Sequence, residues 1–401
     1  MPANIASDGV LHVCSDFPNQ YIYKHLTSHL RSAGERQFVF SAVRSEEELL
    51  RQPPDEIPSL RFSFHKVLRP MHRYLFRTKI RAARRALLGA VDPRQYSLVH
   101  SHYLYSDGAL ALQLRREFGT PFVTAVRNTD IYGFMRLRPD LWPTARAVLR
   151  EASAVIFLSP AYRDATFRRI GRRMAELIAP KTLVVPSGVP DVWLRNGPHS
   201  AGDSATDLRV LYVGDFSRNK NIMGTIRAVE SIRASRAARL TIIGGGGDGE
   251  EELLKLLSDP RYSWVSRNKP VRDPDQLRAI YRQHDVFAMP SFRETFGVVY
   301  LEALSQGLPV VHARGQGVQG LLTDGVVSEG VDPHSADSIA NAITRSADRR
   351  AQVWARCVQE VQGFSWTAIA QRYVGIYGRI RAGLSAAEPA ATARTCPPEP
   401  Q

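Results

Sequence analysis

The sequence is short of cysteine. Cys14, Cys357 and Cys396 are the only three in 401 residues, too few and too scattered for a disulfide framework or a structural zinc site. They read as the reduced thiols of a cytoplasmic protein. Long hydrophobic runs are also missing. None approaches the roughly 20 apolar residues that cross a bilayer, so no transmembrane helix is expected. Met1 to Val10 contain Asp8 and no basic stretch, so no secretory leader is expected either. Disorder over the whole chain is excluded by a hydrophobic content of 44%, which is an ordinary globular balance. Acid is scarce: 39 Asp and Glu stand against 53 Lys and Arg, a formal charge of +14. Such an excess implies an anionic partner, whether nucleic acid, a phosphorylated small molecule or an acidic membrane surface. No zinc-finger, RNP-type or repeat motif accompanies it, so nucleic acid is not expected.

The positive charge is concentrated. Arg61, Lys66, Arg69, Arg73, Arg77, Lys79, Arg81, Arg84, Arg85 and Arg94 face only one acid, Asp92, so residues 61–94 carry +9. The core of this stretch, MHRYLFRTKIRAARRALLGA, is helical in composition. Leu75, Ile80, Leu87 and Leu88 make a broken apolar face. A basic amphipathic helix of this kind can lie on anionic lipid; the plainer reading is a solvated face on a helix packed into a core.

Elsewhere, strand-like runs alternate with helical patterns. Runs at Val10–Cys14, Phe38–Val43, Ser97–His102, Pro121–Val126, Ala154–Leu158 and Thr182–Val185 fill a first half. Ser187 to Asp207, rich in Gly, Pro, Ser and Asp, reads as a linker. The alternation resumes with Arg209–Val213, Leu240–Ile243, Tyr262–Ser266, Val286–Met289 and Leu308–His312. The expected fold is α/β, two facing doubly wound Rossmann-like domains. The boundaries are residues 1–187 and 188–366, with a helix over about 367–383 returning to the first domain. The Ala/Pro-rich tail 384–401 is expected to be disordered. Ligands of such sheets bind at the carboxyl ends of the strands, so a cleft between the domains is the expected site.

Three loops of the second half stand out. Gly244 to Gly249 reads GGGGDG between a strand and a helix, an arrangement that suits phosphate but equally a tight turn. Ser266, Arg267 and Asn268 stand where a nicotinamide-cofactor fold needs an acid for the ribose, so the dinucleotide fingerprint is incomplete and that cofactor is not expected. Gly214 to Lys220 follows a buried strand and brings Arg218 and Lys220, two cations able to neutralise a diphosphate. In Arg293 to Leu304, Glu294 and Glu302 are separated by seven residues across a Phe296-Gly297 turn. A carboxylate can accept hydrogen bonds from vicinal hydroxyls, and the helix start at Gly297-Val298 offers N–H groups. Asp273-Pro274-Asp275 spells a metal motif but reads as a helix cap.

This last stretch resembles the E-x7-E motif of the retaining glycosyltransferases of family 4, which have the GT-B fold. Gly307 to Val311, Asp285 to Ser291, the glycine turn after Ile243, Val213-Gly214 with Lys220, Val185 to Val189 and Phe364-Ser365-Trp366 extend the resemblance. His100-Ser101-His102 and Arg127 to Ile131 are similar to the family's H-x-H and H-G-x-D segments. The resemblance covers residues 10 to 382. It implies that Glu302 binds the nucleotide ribose, that Glu294 holds donor-sugar hydroxyls, and that Lys220 binds the diphosphate; Arg218, two residues before Lys220, is the expected substitute for an Arg that the family carries directly after the glycine of this loop. It implies donor contacts from Phe296, Gly297 and Val298, from Gly244 and Gly245, and from Val271 beside the base. His102, Arg127 and Asp130 fall on the acceptor side. The implied enzyme needs no cofactor or metal, only a nucleotide diphosphate sugar (UDP- or GDP-linked) as co-substrate. The acceptor would be a glycan or a lipid-linked molecule, met at the inner membrane face.

Some positions depart from the family pattern. Asp215 replaces an Arg, Phe17-Pro18-Asn19-Gln20 lacks the paired glycines of the first loop, and Arg127 replaces a His. A protein that binds a nucleotide sugar or polyanion without transfer, or a sugar-nucleotide epimerase, are the competing readings.

Overall fold

The computed structural model describes residues 9–53, 58–194 and 207–383. The tail from residue 384, Cys396 and residues 195–206 of the linker lie outside the described residues. The chain forms two compact units. Unit 1 comprises Met1–Phe157, Thr166–Val185 and Ala370–Gln401, and unit 2 comprises Leu158–Ala165 and Pro186–Ile369.

Unit 1 is built on seven parallel strands: β1 Val10–Val13, β2 Gln37–Val43, β3 Leu60–Lys66, β4 Leu98–Ser101, β5 Phe122–Ala125, β6 Ala154–Phe157 and β7 Thr182–Val184. Their order is β3-β2-β1-β4-β5-β6-β7. Every residue of β1, β2, β4, β5 and β6 is buried, as expected of strands covered by helices on both faces. Helix Trp366–Arg381 closes the unit from the far end of the chain. There Tyr377 Oη lies 2.7 Å from His100 Nδ1, and Arg381 pairs with Glu35 at 2.7 Å.

Unit 2 has six parallel strands: β8 Leu208–Val213, β9 Ala238–Ile243, β10 Val265–Asn268, β11 Val286–Ala288, β12 Val310–Ala313 and β13 Ser328–Val331. The order is β10-β9-β8-β11-β12-β13. In each sheet the strand order reverses once, between β1 and β4 and between β8 and β11. Such reversals open a crevice at the carboxyl ends of the strands.

The basic segment is not one helix. It divides into edge strand β3, a 3-10 turn at Pro70–Arg73 and helix Phe76–Ala90. Along β3, Leu60, Phe62 and Phe64 point inward while Arg61, Ser63, His65 and Lys66 are less buried or exposed. That is a period-2 pattern, hidden in sequence by the count of cations. The helix buries Phe76, Ile80, Ala83 and Leu87. Leu75, expected on that face, is its N-cap and 47% exposed, because the helix begins one residue later. One boundary also moves. Pro260–Tyr262 is a 3-10 turn capped by Asp259, so β10 starts at Val265 rather than Tyr262. Helix Arg350–Val361 was not expected, although Val353, Cys357 and Val361 recur every four residues on its buried side. Its buried arginine, Arg350, bonds Asp285 at 2.9 Å.

Candidate active site

In unit 2 the reversal between β8 and β11 gathers the loops that sequence singled out. The β8 loop ends in a 3-10 turn, Arg218–Lys220, followed by Asn221 at φ 57°. A non-glycine residue in that region needs support. It comes from the Asn221 amide, which donates to the carbonyls of Pro290 at 3.1 Å and Pro333 at 2.7 Å. Asn219 adds two more bonds to the loop after β11. Its side chain donates to Arg293 O at 2.8 Å, and its carbonyl accepts from Phe292 N at 2.9 Å. Held this way, Lys220 Nζ reaches Glu294 Oε2 at 2.6 Å, with side chains 21% and 11% exposed. Glu294 Oε1 also accepts the N–H of Thr295 at 3.1 Å. A cation and a carboxylate separated by 74 positions thus meet at one strand-end crevice.

Arg218 is not part of that pair. Its side chain is 70% exposed and its guanidinium lies 3.6 Å from Glu252. Its backbone N–H is held by Asp248 at 2.9 Å.

Gly297 starts helix Val298–Ser305 with φ 81°. A Cβ there would lie 2.4 Å from the Tyr300 ring, so only glycine brings the chain into this helix start. Phe296 is buried just before it, and Val298 is half-buried at the first turn. Glu302 sits one turn on. Tyr281 Oη donates to its Oε2 at 3.2 Å, and burial pushes its pKa up to about 7. At neutral pH this carboxyl is poised between charged and neutral.

The glycine run packs against the lysine loop. Gly214 N donates to Ile243 O, Phe216 N to Gly246 O and Gly249 N to Phe216 O, at 3.0, 2.7 and 3.0 Å. A Cβ on Gly244 would meet Gly214 O at 1.8 Å, and one on Gly247 would meet Ser217 N at 2.4 Å. Gly245 has only ordinary contacts, the nearest with Glu250 and Pro270. That places it beside the 269–271 segment, whose Val271 packs partly on the unit 2 core. Most of these glycines therefore serve loop-to-loop packing. Gly247→Ala, at φ 98°, should lower stability by roughly 2 kcal/mol, read as an earlier denaturant midpoint. An unchanged midpoint would show that the loop relaxes.

In unit 1 the reversal between β1 and β4 carries His12, His100 and His102, all within 1% of full burial. His12 Nδ1 lies 3.0 Å from His102 Nε2. Burial keeps all three neutral, taking His12 down to about 3 and the others well below their usual range. Their ring nitrogens are close enough to suggest a metal cluster. However, the rings of His100 and His102 stack 4.0 Å apart at 23°. Near-parallel rings do not both aim lone pairs at one ion about 2 Å away. Arg127 lies alongside, its Nε donating to His102 O at 3.3 Å.

Asp130 is fully buried. Its carboxylate accepts the N–H groups of Leu104, Tyr105 and Arg127 at 3.1, 3.3 and 2.8 Å. It therefore pins the loops after β4 and β5 from a fully buried position.

Two buried ionisable side chains that no sequence motif marks also lie in unit 1. Asp107, at the start of helix Ser106–Phe118, is buried and accepts Ser15 N at 3.2 Å, and burial raises its pKa to about 7. Lys79 Nζ donates to Ser106 at 2.7 Å, and burial lowers its pKa to about 8. Both line a small cavity with Val13, Ser15 and Ile80. No sequence signal linked them, since they lie on separate helices.

The first loop, Phe17–Asn19, is a 3-10 turn with Phe17 and Pro18 buried, in place of a glycine turn. Asp273 caps helix Pro274–Arg282 by accepting Asp275 N at 2.9 Å.

Residues 19–186 match the family model described as glycosyl transferase 4-like domain, and residues 207–349 match glycosyl transferases group 1. A D-inositol 3-phosphate glycosyltransferase of Actinosynnema mirum is 29% identical over 316 residues, covering 72% of this chain and 74% of that protein. One from an Arthrobacter species is 26% identical over 373 residues, covering 87% and 86%. Among solved structures, sucrose-phosphate synthase of Thermosynechococcus elongatus superposes with TM-score 0.73 at 23% identity, covering 94% of this chain and all of that one. Anabaena HepE in complex with UDP superposes with TM-score 0.67 at 18% identity, covering 91% and 98%. Two doubly wound units with the switch-point loops described above, matched by both domain models, establish that the chain belongs to the family 4 glycosyltransferases of the GT-B fold.

Proposed function

We propose that the protein is a retaining, metal-independent glycosyltransferase. It moves a sugar from a nucleoside diphosphate sugar bound on unit 2 to a glycan or lipid-linked acceptor bound on unit 1. It acts in cell-surface polysaccharide or glycolipid synthesis, at the cytoplasmic face of the membrane. The observation that carries the donor half is the Lys220–Glu294 pair, 2.6 Å apart on the same strand-end crevice as Gly297 and Glu302.

In the free protein Lys220 and Glu294 neutralise each other. A donor exchanges that contact for two: sugar hydroxyls on Glu294 and the diphosphate on Lys220. The bond from the anomeric carbon to the phosphate oxygen then breaks, and its electron pair stays on that oxygen. Lys220 and the N–H groups at the start of helix Val298–Ser305 stabilise the charge. The acceptor hydroxyl gives its proton to the leaving phosphate and bonds to the same face of the sugar.

Charge supports an anionic acceptor. Unit 1 contains 31 Lys and Arg against 17 Asp and Glu, whereas unit 2 contains 22 of each, so the whole +14 belongs to unit 1. The acceptor that gives the relatives their name, D-inositol 3-phosphate, fits that sign.

A thermal-shift panel of UDP-, GDP- and ADP-sugars, with the bare nucleotides, tests the donor half. One base series should raise Tm and the others should not, through linkage. No shift from any nucleotide would defeat the reading.

A further inference from the structure

Among the described residues no helix is long and apolar enough to cross a membrane. Nor can helix Phe76–Ala90 lie on lipid by its apolar face, because Phe76, Ile80, Ala83 and Leu87 are already buried in unit 1. What remains outside is a corner just ahead of that helix. Met71 is 47% exposed, Tyr74 74% and Leu75 47%. Leu137, 71% exposed, joins them from a neighbouring segment. Arg138 ties that segment down by donating to Arg73 O at 3.1 Å and Tyr74 O at 3.4 Å. Phe76 and Phe134 add an edge-on ring contact at 6.5 Å.

Arginines surround this tip. Arg69, Arg73, Arg77 and Arg136 are exposed, and Arg81 and Arg85 continue from Arg77 at intervals of four along one helix face. Among the described residues none of these six forms an ion pair, whereas Arg84, Arg116 and Arg138 of the same unit do. Unpaired cations around clustered exposed apolar side chains are unusual on a protein surface. An apolar tip ringed by arginine matches the interface of an anionic bilayer. Tyrosine settles at headgroup level, leucine enters the acyl boundary and arginine faces lipid phosphate. A dissolved polyanion would satisfy the arginines but leave Leu75 and Leu137 in water.

We propose that Tyr74, Leu75 and Leu137 insert into an anionic bilayer, with the surrounding arginines against its headgroups. The proposal deepens the reading of unit 1 as the acceptor side and rests on it for its purpose. Vesicle binding requires no sugar transfer, so the two can fail separately.

The test is co-sedimentation of the full chain with vesicles of phosphatidylcholine alone or with about a third phosphatidylglycerol. Binding to the anionic vesicles should be about tenfold stronger or more, and high salt should weaken it. The Tyr74→Ser/Leu75→Ser/Leu137→Ser variant and the Arg77→Gln/Arg81→Gln/Arg85→Gln variant should each lose about tenfold. All six positions are surface ones, and an unchanged Tm and far-ultraviolet circular dichroism spectrum without any ligand verify that the variants fold. A Tyr74→Trp variant should show blue-shifted emission with anionic vesicles only. No pelleting with anionic vesicles, equal pelleting with neutral ones, or full binding by the serine variant would overturn the proposal.

Discussion

Lys220→Ala should lower turnover by roughly 10²- to 10³-fold, and Glu294→Gln should do the same. The reason is the shared position of the two groups. Lys220 Nζ and Glu294 Oε2 stand 2.6 Å apart, so whichever part of the donor one group touches, the other is within reach of the neighbouring part. Losing the lysine removes the charge that meets the leaving phosphate. It also leaves a carboxylate that is 11% exposed with Thr295 N as its remaining donor partner among those described, an unfavourable state. Lys220→Ala should therefore also lower Tm, and Lys220→Ala/Glu294→Gln should recover part of that loss. Activity should behave differently from stability. If both residues act on one transition state as a unit, the double variant falls little further than the worse single. The measurement is nucleoside diphosphate release with the donor chosen by thermal shift. Near-wild-type transfer by either single variant would remove the pair from the chemistry, and slow release without any acceptor would still identify a transferase rather than a mere binder. Arg218→Ala should cost far less, since its side chain faces Glu252 and solvent.

The sequence alone indicated the sheets well because their central strands are continuous apolar runs buried on both faces. It indicated Glu294, Glu302 and Gly297 because their spacing follows from one turn leading into one helix. It did not reveal that Glu294 is the partner of Lys220, since that contact depends on β8 and β11 being neighbours. The edge strand β3 is hard to read because its exposed positions, Arg61 and Lys66, continue the cation run of the following helix and mask its alternation. Strand β13, Ser328–Val331, has little strand propensity of its own and exists by pairing with β12. Asp130 shows the opposite limit. A motif marked it as a site residue, yet in the fold its oxygens are occupied by three backbone N–H groups. Asp130→Asn should therefore act by loosening the loops after β4 and β5, not by removing a ligand contact.

Donor affinity should fall steeply with acid through Glu302. Its pKa in the free protein is pushed up to about 7 by burial, against which the Tyr281 hydroxyl works only partly. Vicinal ribose hydroxyls donate hydrogen bonds, and a carboxylate accepts both where a protonated carboxyl accepts less well. Binding thus selects the ionised form and draws its pKa down. Above pH 7 the ionised form dominates and affinity is flat. Below pH 7 each unit should raise the apparent Kd by up to about tenfold, until the weaker binding of the protonated form sets a floor, so that pH 5 is at most roughly a hundredfold weaker than pH 8. A nucleoside diphosphate sugar is the right probe because its phosphates carry no proton that titrates in this range. Calorimetry across pH 5 to 8 should also show about one proton released near pH 6, in the same sense. Glu302→Gln should bind weakly at pH 8 and lose the slope. A profile equally steep in that variant would move the titration to another group. A flat profile in the wild type would mean that Glu302 does not meet the ribose, and the donor would then have to be held by Lys220 and the Gly297 helix start alone.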